Sequence, residues 1–580
     1  MARLGINVVS SAVSTVLDSE LRDAPDATAV GDPVAYKSLR RFVTSASRCD
    51  FLRIPPFPGT RVGHFARATG AEPNLEGVAE RLKELRVGGT YWAAQPQLPE
   101  SYVLVRSAAA VSAARQIAKG LPIVIWDDDA PSADDFAGAS IVRGECDPWH
   151  MLNGASVLVA KATDELRLIA TLLGIGYYQI EGSSAGPVCL PLAELIDEEL
   201  GGRAFENPFT GEPMSVLDAI DLCGFWRGLI DSNRDIAGGL GFAFWKQDHV
   251  APLLWNGHEP FRFMRDAAEA KSRSAIAVWR SKVAAQTIGE LERAASRLIE
   301  VEDGFLRSRG LGADCIPPLS ITVDRLGAYF DPTQASELEL LLETGEFDDR
   351  MLERARKLRR LIVQAGIGKY ERGNVVLERP AGERRHVLVP GQVEDDRAVE
   401  AGGCGLTSNL ELLKRVREHA PDAYILYKPH PDVVAGHRRG AISDRHCLEY
   451  ADRIVGEFPV SSLIEMVDEV HVNTSLTGFE ALLRLKRVTA HGVPFYAGWG
   501  LTNDLGPVPS RRTRRLTIDE LVAATLLLYP RYLDPVTGLP CPAEVVVSRL
   551  SSGEERDAGV IVTMRRLQGK FMRRLRSLVQ

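Results

Sequence analysis

Short apolar runs rich in β-branched residues recur along the chain, separated by longer stretches in which apolar residues return every three or four positions. Arg385-His-Val-Leu-Val-Pro390 is such a run; Asn409 to His419 has helical spacing, and Ala423-Tyr-Ile-Leu-Tyr-Lys428 is a run again. That alternation predicts βαβ units around a parallel sheet. Further strands are expected at Ala275-Ile-Ala-Val-Trp279, Arg297-Leu-Ile-Glu-Val301 and Glu469-Val-His-Val472, each followed by Gly, Asp, Asn or Ser. In open α/β sheets ligands sit beyond such strand ends.

The pattern also repeats on a larger scale. Asn207-Pro-Phe-Thr-Gly-Glu-Pro213 and Asp534-Pro-Val-Thr-Gly-Leu-Pro540 share N/D-P-x-T-G-x-P, and each follows a helical stretch. Val157-Leu-Val159 before a helix matches Val470-His-Val472, and Tyr102-Val-Leu-Val-Arg106 matches Tyr424-Ile-Leu-Tyr-Lys428. Together these predict a duplication. Asp218 to about Arg234 reads as an amphipathic helix and Gly238-Gly-Leu-Gly241 as a flexible joint. The expected division is a Rossmann-like domain over 1–205, a helical linker over 206–240, a second module over 241–545 and a basic tail over 546–580.

Composition narrows the class. The 580 residues, 45% hydrophobic and 25% charged, supply more than one core. A net charge of −8 with both signs interspersed argues against a nucleic-acid partner. Eight cysteines lie scattered without a C-x-x-C spacing, as in a reducing cytoplasm. The apolar run at the N-terminus is too short for a signal peptide, and no stretch is apolar enough for a membrane span. From Met564 the tail carries Arg565, Arg566, Lys570, Arg573, Arg574 and Arg576 among apolar residues. Two readings stay open for it: a solvated terminal helix, or one docked on a membrane surface.

Four loops in the second module carry chemistry-bearing groups. Glu302 and Asp303 end a strand beside Gly304, paired acids suited to proton transfer or, alternatively, to capping a helix. Gln392-Val-Glu-Asp-Asp396 follows another strand, with acids that can attack a sugar carbon, bind a metal or form a solvated turn. Lys428-Pro-His-Pro-Asp432 fixes His430 between two prolines, which favours a presented imidazole over a core one. Asn473-Thr-Ser-Leu-Thr-Gly-Phe-Glu480 is a strand–loop–helix junction whose N–H groups and hydroxyls can hold a phosphate, with Glu480 one turn inside the helix.

In this order the loops resemble the bacterial capsule polysaccharide β-Kdo transferases of the KpsC type. The resemblance runs densely from Gly241 to Pro540. It includes Gly241-Phe-Ala-Phe-Trp-Lys246, Glu302-Asp-Gly-Phe-Leu-Arg-Ser308, Pro317-Pro-Leu-Ser320, Tyr329-Phe-Asp-Pro-Thr333 and Pro494-Phe-Tyr-Ala-Gly-Trp-Gly-Leu501. It implies a GT-B-like pair of Rossmann-type domains preceded by a truncated, degenerate one. It implies CMP-Kdo as donor, no metal or other cofactor, and a Kdo-containing glycan or phosphatidylglycerol-type glycolipid acceptor at the cytoplasmic face of the inner membrane. By that resemblance Asp396, with Asp395 its competitor, is the nucleophile of a retaining double displacement. Asp303, or Glu302, takes the acceptor proton, and His430 steadies the departing phosphate. Gln392, Lys428, Asn473, Thr474, Ser475, Thr477 and Glu480 hold the nucleotide, and Lys428 and Arg307 offer charge to phosphate or sugar carboxylate. The family commonly has Ser two positions after the nucleophile, where this chain has Ala398.

Carried back through the strand matches, the K-P-H-P loop falls at Arg106-Ser-Ala108 and the N-T-S-L-T-G-F-E loop at Ala160 to Arg167. The upstream segment, about Leu52 to His64, offers no Asp for the nucleophile, and the acidic-glycine loop would precede Met1. The first half is therefore expected to lack catalysis, with Trp126-Asp-Asp-Asp129 a solvated loop. Two alternatives for the whole chain remain: a sialyltransferase-like CMP-sugar transferase, or a non-catalytic capsule assembly or export component.

Overall fold

The computed structural model describes residues 51–66, 74–131, 136, 138–182, 184–201, 203–270, 275–294, 297–306, 317–367, 378–380, 382–436, 438–456 and 458–553. The basic tail from Met564 and Arg307 lie outside them. The chain forms two compact units, one up to Arg234 with Leu254–Pro260, the other of Asp235–Leu253 and the residues from Phe261 on.

The first unit is built on a six-stranded sheet in the order Ala139–Val142, Ile123–Trp126, Tyr102–Val105, Ala155–Ala160, Gly176–Glu181, Ser184–Val188. All neighbours run parallel except the last pair. Its central strands are apolar throughout, because helices cover both faces of a parallel sheet. Helix Val216–Asp231 belongs to this unit. It starts with a Ser215–Asp218 capping box and buries Leu222, Cys223 and Trp226. Arg227 on it reaches the fully buried Asp147 at 2.7 Å.

The second unit holds two sheets. In the second sheet the order is Phe263–Met264, Ile236–Leu240, Ala275–Val278, Arg297–Asp303, Ser320–Asp324, Pro530–Leu533, Pro540–Cys541, parallel up to Arg297–Asp303 and antiparallel after it. Gly238, Gly239 and Leu240, expected as a flexible joint, are instead part of a strand. The glycines are needed there for close approach: a Cβ on Gly239 would meet the Phe242 ring at 2.5 Å. The third sheet runs Arg453–Ile454, Tyr424–Lys428, His386–Pro390, Glu469–Val472, Arg487–Ala490, Asn503–Asp504, all parallel. This is the α/β architecture with parallel sheets that the pattern predicted, and the two sheets of the second unit form the GT-B-like pair that the resemblance implied.

The two matching turns form the same hydrogen bonds. At both N/D-P-x-T-G-x-P turns the first residue's N–H donates five residues ahead, Asn207 to Glu212 and Asp534 to Leu539, and its carbonyl accepts from the glycine four ahead. Gly211 and Gly538 have φ of 78° and 75°, the left-handed region that glycine occupies without strain. An antiparallel strand pair flanks each turn and a helix follows.

Topology corrects one strand match. The first and third sheets share one strand order, so Tyr102–Val105, first in its sheet, corresponds to His386–Pro390 and not to Tyr424–Lys428. The K-P-H-P loop therefore maps onto Trp126-Asp-Asp-Asp129. The nucleophile loop maps onto the residues after Val105, where no acid lies up to Ala118. Arg106 to Ala108 and Leu52 to His64 are thus not the counterparts expected, although the segment after Ala160 keeps its match with the loop after Val472. The misalignment arose because both strands begin with Tyr and read apolar throughout, which fixes burial but not position.

Candidate active site

The site lies in the second unit, where loops at strand ends of its two sheets meet. Glu302 and Asp303 end their strand at Gly304, whose Cβ would come within 2.3 Å of the Ser320 hydroxyl oxygen, so the turn admits only glycine. Phe305 packs on Tyr329, Phe479 and Phe495 at ring separations of 5.0, 6.0 and 4.8 Å, joining the acidic loop to the third sheet's helix Leu476–Leu483.

The two acids of this loop are treated differently. Asp303 accepts from the Lys246 ammonium at 2.8 Å, and that ammonium lies 3.5 Å from the centre of the Trp279 ring. Glu302 accepts from the Arg397 guanidinium at 2.8 Å. Burial pushes Glu302 up to about 7, opposed by Arg397 and reinforced by Glu300 and Asp396. A carboxyl poised there exchanges protons near neutral pH.

On the third sheet, Asp396 caps helix Arg397–Gly402, Oδ1 accepting from the Ala398 N–H at 3.0 Å. The next residue, Arg397, reaches Glu302 at 2.8 Å, so the two acidic loops meet. Asp395 instead pairs with Arg438 at 3.3 Å. Gln392 is clamped to Thr474 by two bonds, amide to hydroxyl and backbone N–H to amide oxygen, each 2.9 Å. Thus the loops after His386–Pro390 and Glu469–Val472, the central pair where the strand order reverses, are locked together.

His430 caps the short helix Pro431–Val434, its Nδ1 accepting from the Asp432 N–H at 3.1 Å. A neutral ring so bonded carries its proton on Nε2. Ser475 caps the helix Leu476–Leu483, accepting from the Thr477 N–H at 3.2 Å and donating to the Thr477 hydroxyl at the same distance. These are the groups of an anion-binding helix start.

Three of the expected binding residues are buried. Lys428 is buried and donates to the carbonyls of Phe458 at 2.6 Å and Gly456 at 3.3 Å, holding that loop. Asn473 is buried and donates to the Leu406 carbonyl at 2.6 Å. Glu480 is buried within its helix. Conversely, Lys246 and Arg397 bind the acids and were missed. The signal for Arg397 was present, a cation directly after the candidate nucleophile. Among the described residues no group of His, Cys, Asp and Glu is arranged to hold a metal, and no helix is long and apolar enough to cross a membrane.

Acids, a capped imidazole and a capped helix start thus lie on strand-end loops of one unit. The chain matches the family described as capsule polysaccharide biosynthesis protein over residues 274–379 and 355–532. It is 39% identical over 349 residues to the capsule polysaccharide modification protein LipA of Neisseria meningitidis serogroup A, covering 59% of this chain and 49% of LipA. It is 44% identical over 264 residues to the lipopolysaccharide-processing protein LpsZ of Rhizobium meliloti, covering 45% of this chain and 59% of LpsZ. The chain thus spans about half the length of the curated relatives it matches. A solved structure, the β-Kdo 2,7 transferase of Thermosulfurimonas dismutans KpsC, is 35% identical, with 55% of this chain and all of that one covered at a TM-score of 0.46. The chain belongs to the KpsC-type capsule polysaccharide family.

Proposed function

We propose that the second unit is a retaining glycosyltransferase that moves Kdo from CMP-Kdo to a glycan or glycolipid acceptor in capsule or surface polysaccharide synthesis. One observation carries the reading: Arg397, the residue after Asp396, reaches Glu302 at 2.8 Å and so brings the two acidic loops together beside the Gln392–Thr474 clamp. Family membership supports the donor, since the solved relative carries the name of a β-Kdo transferase.

In the first step an Asp396 oxygen attacks the anomeric carbon of Kdo and the bond to the CMP phosphate oxygen breaks. The Nε2–H of His430 and the N–H groups at the start of helix Leu476–Leu483 meet the charge that collects on the phosphate. In the second step an acceptor hydroxyl gives its proton to Glu302 and attacks the same carbon, releasing Asp396. Two inversions leave the configuration retained. Glu302 suits the proton transfer, since burial raises its carboxyl to about 7. No step draws on a metal. The basic tail is assigned to docking at the inner face of the cytoplasmic membrane, where a lipid-linked acceptor resides.

Incubation with CMP-Kdo, without acceptor, should give a Kdo ester on Asp396 by peptide mass spectrometry, and acceptor should discharge it. CMP release from CMP-sialic acid in place of CMP-Kdo would assign the chain to the sialyltransferase-like class. Absence of adduct and of turnover with either donor would favour a non-catalytic assembly role.

A further inference from the structure

We infer that Arg397 is a positioning residue that ties the two acidic loops of the second unit together, holding Glu302 in place opposite Asp396. The inference rests on the transfer reading and gives a role to a residue that no step of that reading uses. Arg397 opens the helix that Asp396 caps, so neighbouring residues serve opposite sides of the cleft. Its guanidinium lies 5.0 Å from the centre of the Phe330 ring, donates to Glu302 at 2.8 Å and comes within 3.7 Å of Glu300. Glu300 is also bonded by Arg280.

The charged groups that act on Glu302 are Arg397, Glu300, Lys246 and Asp396. Lys246 is already bound to Asp303 and stacked on Trp279. Arg397 is therefore the cation in direct contact with Glu302. Without it, Glu302 loses the cation it touches, while the charges of Glu300 and Asp396 that hold its proton on remain. Glu302 would then keep its proton to higher pH and lose its fixed orientation. A planar guanidinium does this better than an ammonium, since it stacks on an aromatic ring while donating in the plane.

The test compares wild type with Arg397→Met and Arg397→Lys. It follows the Glu302 carboxyl by carbon NMR against pH, and kcat/KM for Kdo transfer from CMP-Kdo over the same range. Arg397→Met should move the Glu302 midpoint and the acid limb of kcat/KM upward by about one pH unit or more, a loss of about tenfold on that limb. Arg397→Lys should recover much of both shifts. Glu302→Gln alone should remove that limb, and adding Arg397→Met to it should bring little further loss. An unchanged Glu302 midpoint, or an equal fall in rate at every pH, overturns the inference and leaves a merely structural role. If Arg397→Met does not fold, Phe330→Leu, which removes the stacking surface, should show a smaller shift in the same direction. A wild type that transfers no Kdo would defeat the transfer reading, while the carboxyl titration would still decide the coupling.

Discussion

The first and third sheets share one strand order and differ in what fills the crevice at its centre. In the third sheet the central loops are pinned by the Gln392–Thr474 clamp, with Asp396 and Ser475 each capping a helix start. In the first, Arg106 occupies the matching crevice: it lies 4.1 Å from the centre of the Trp126 ring and pairs with Asp164 at 3.1 Å and Glu165 at 3.7 Å. Asp127 accepts from the Ala108 N–H at 2.8 Å and Asp128 from the Gly144 N–H at 2.6 Å. The charged groups of the first crevice are thus bonded to one another and to backbone. Buried strands fix topology, whereas strand-end loops can exchange ligand contacts for internal pairs without disturbing it.

The largest effect should separate the two sheets by activity. Asp396→Asn should lower kcat for Kdo transfer on the order of 10⁴-fold, the scale of losing a nucleophile. Asp127→Asn combined with Asp129→Asn should stay within about threefold of wild type, since general acid–base losses begin near a hundredfold. Loss of transfer to a defined acceptor in the second variant would give the first sheet a catalytic part and break the comparison.

Next in size is a stability effect confined to the first unit. Asp147→Ala leaves Arg227 without its buried partner, which should cost about 3–5 kcal/mol. Urea unfolding with hydrogen exchange resolved by unit should show the loss in the first unit, and a uniform change in both would deny that they are separate.

The smallest effect sharpens the contrast within the sheets. By the strand match, His471 stands where the first sheet has Leu158. Its Nδ1 lies 3.1 Å from Nε2 of His491. Burial holds His491 at about 3 and pulls His471 down as well. Both rings are neutral when folded, while the unfolded chain takes up protons near pH 6.5, so their stabilisation is present above that pH and lost as it falls toward 3. From pH 6.5 to pH 5 the His491 contribution should fall by about 2 kcal/mol. Measured with His491→Gln as reference, a pH dependence that survives the substitution would assign the loss to other groups.

Much of this was legible in the chain. Apolar runs gave the strands at Ala275–Val278, Arg297–Asp303 and Glu469–Val472 close to their observed bounds. The matching turns at Asn207 and Asp534 were legible because Asx residues and a left-handed glycine form the same local bonds wherever they occur. The acidic, K-P-H-P and S/T loops stood out because proline, glycine and caps act over a few residues. The glycine pair at 238–239 was misread, since a glycine required by the Phe242 ring looks in sequence like one serving a joint. The bonds of Lys428 were not legible for a related reason: a cation after a strand does not disclose that two loop carbonyls accept from it.

The sequence by itself determined the α/β class, the repeated turn and the order of the four loops, all consequences of local periodicity and short-range bonding. Tertiary structure decided which strand of the first sheet corresponds to which of the third, because strand order depends on pairings between residues far apart in the chain. It also decided the division of labour between the two acids. Glu302 and Asp303 are neighbours of nearly identical chemistry, and side chains alternate along a strand. One meets Arg397 from across the cleft and the other Lys246, and those distant cations make them different groups.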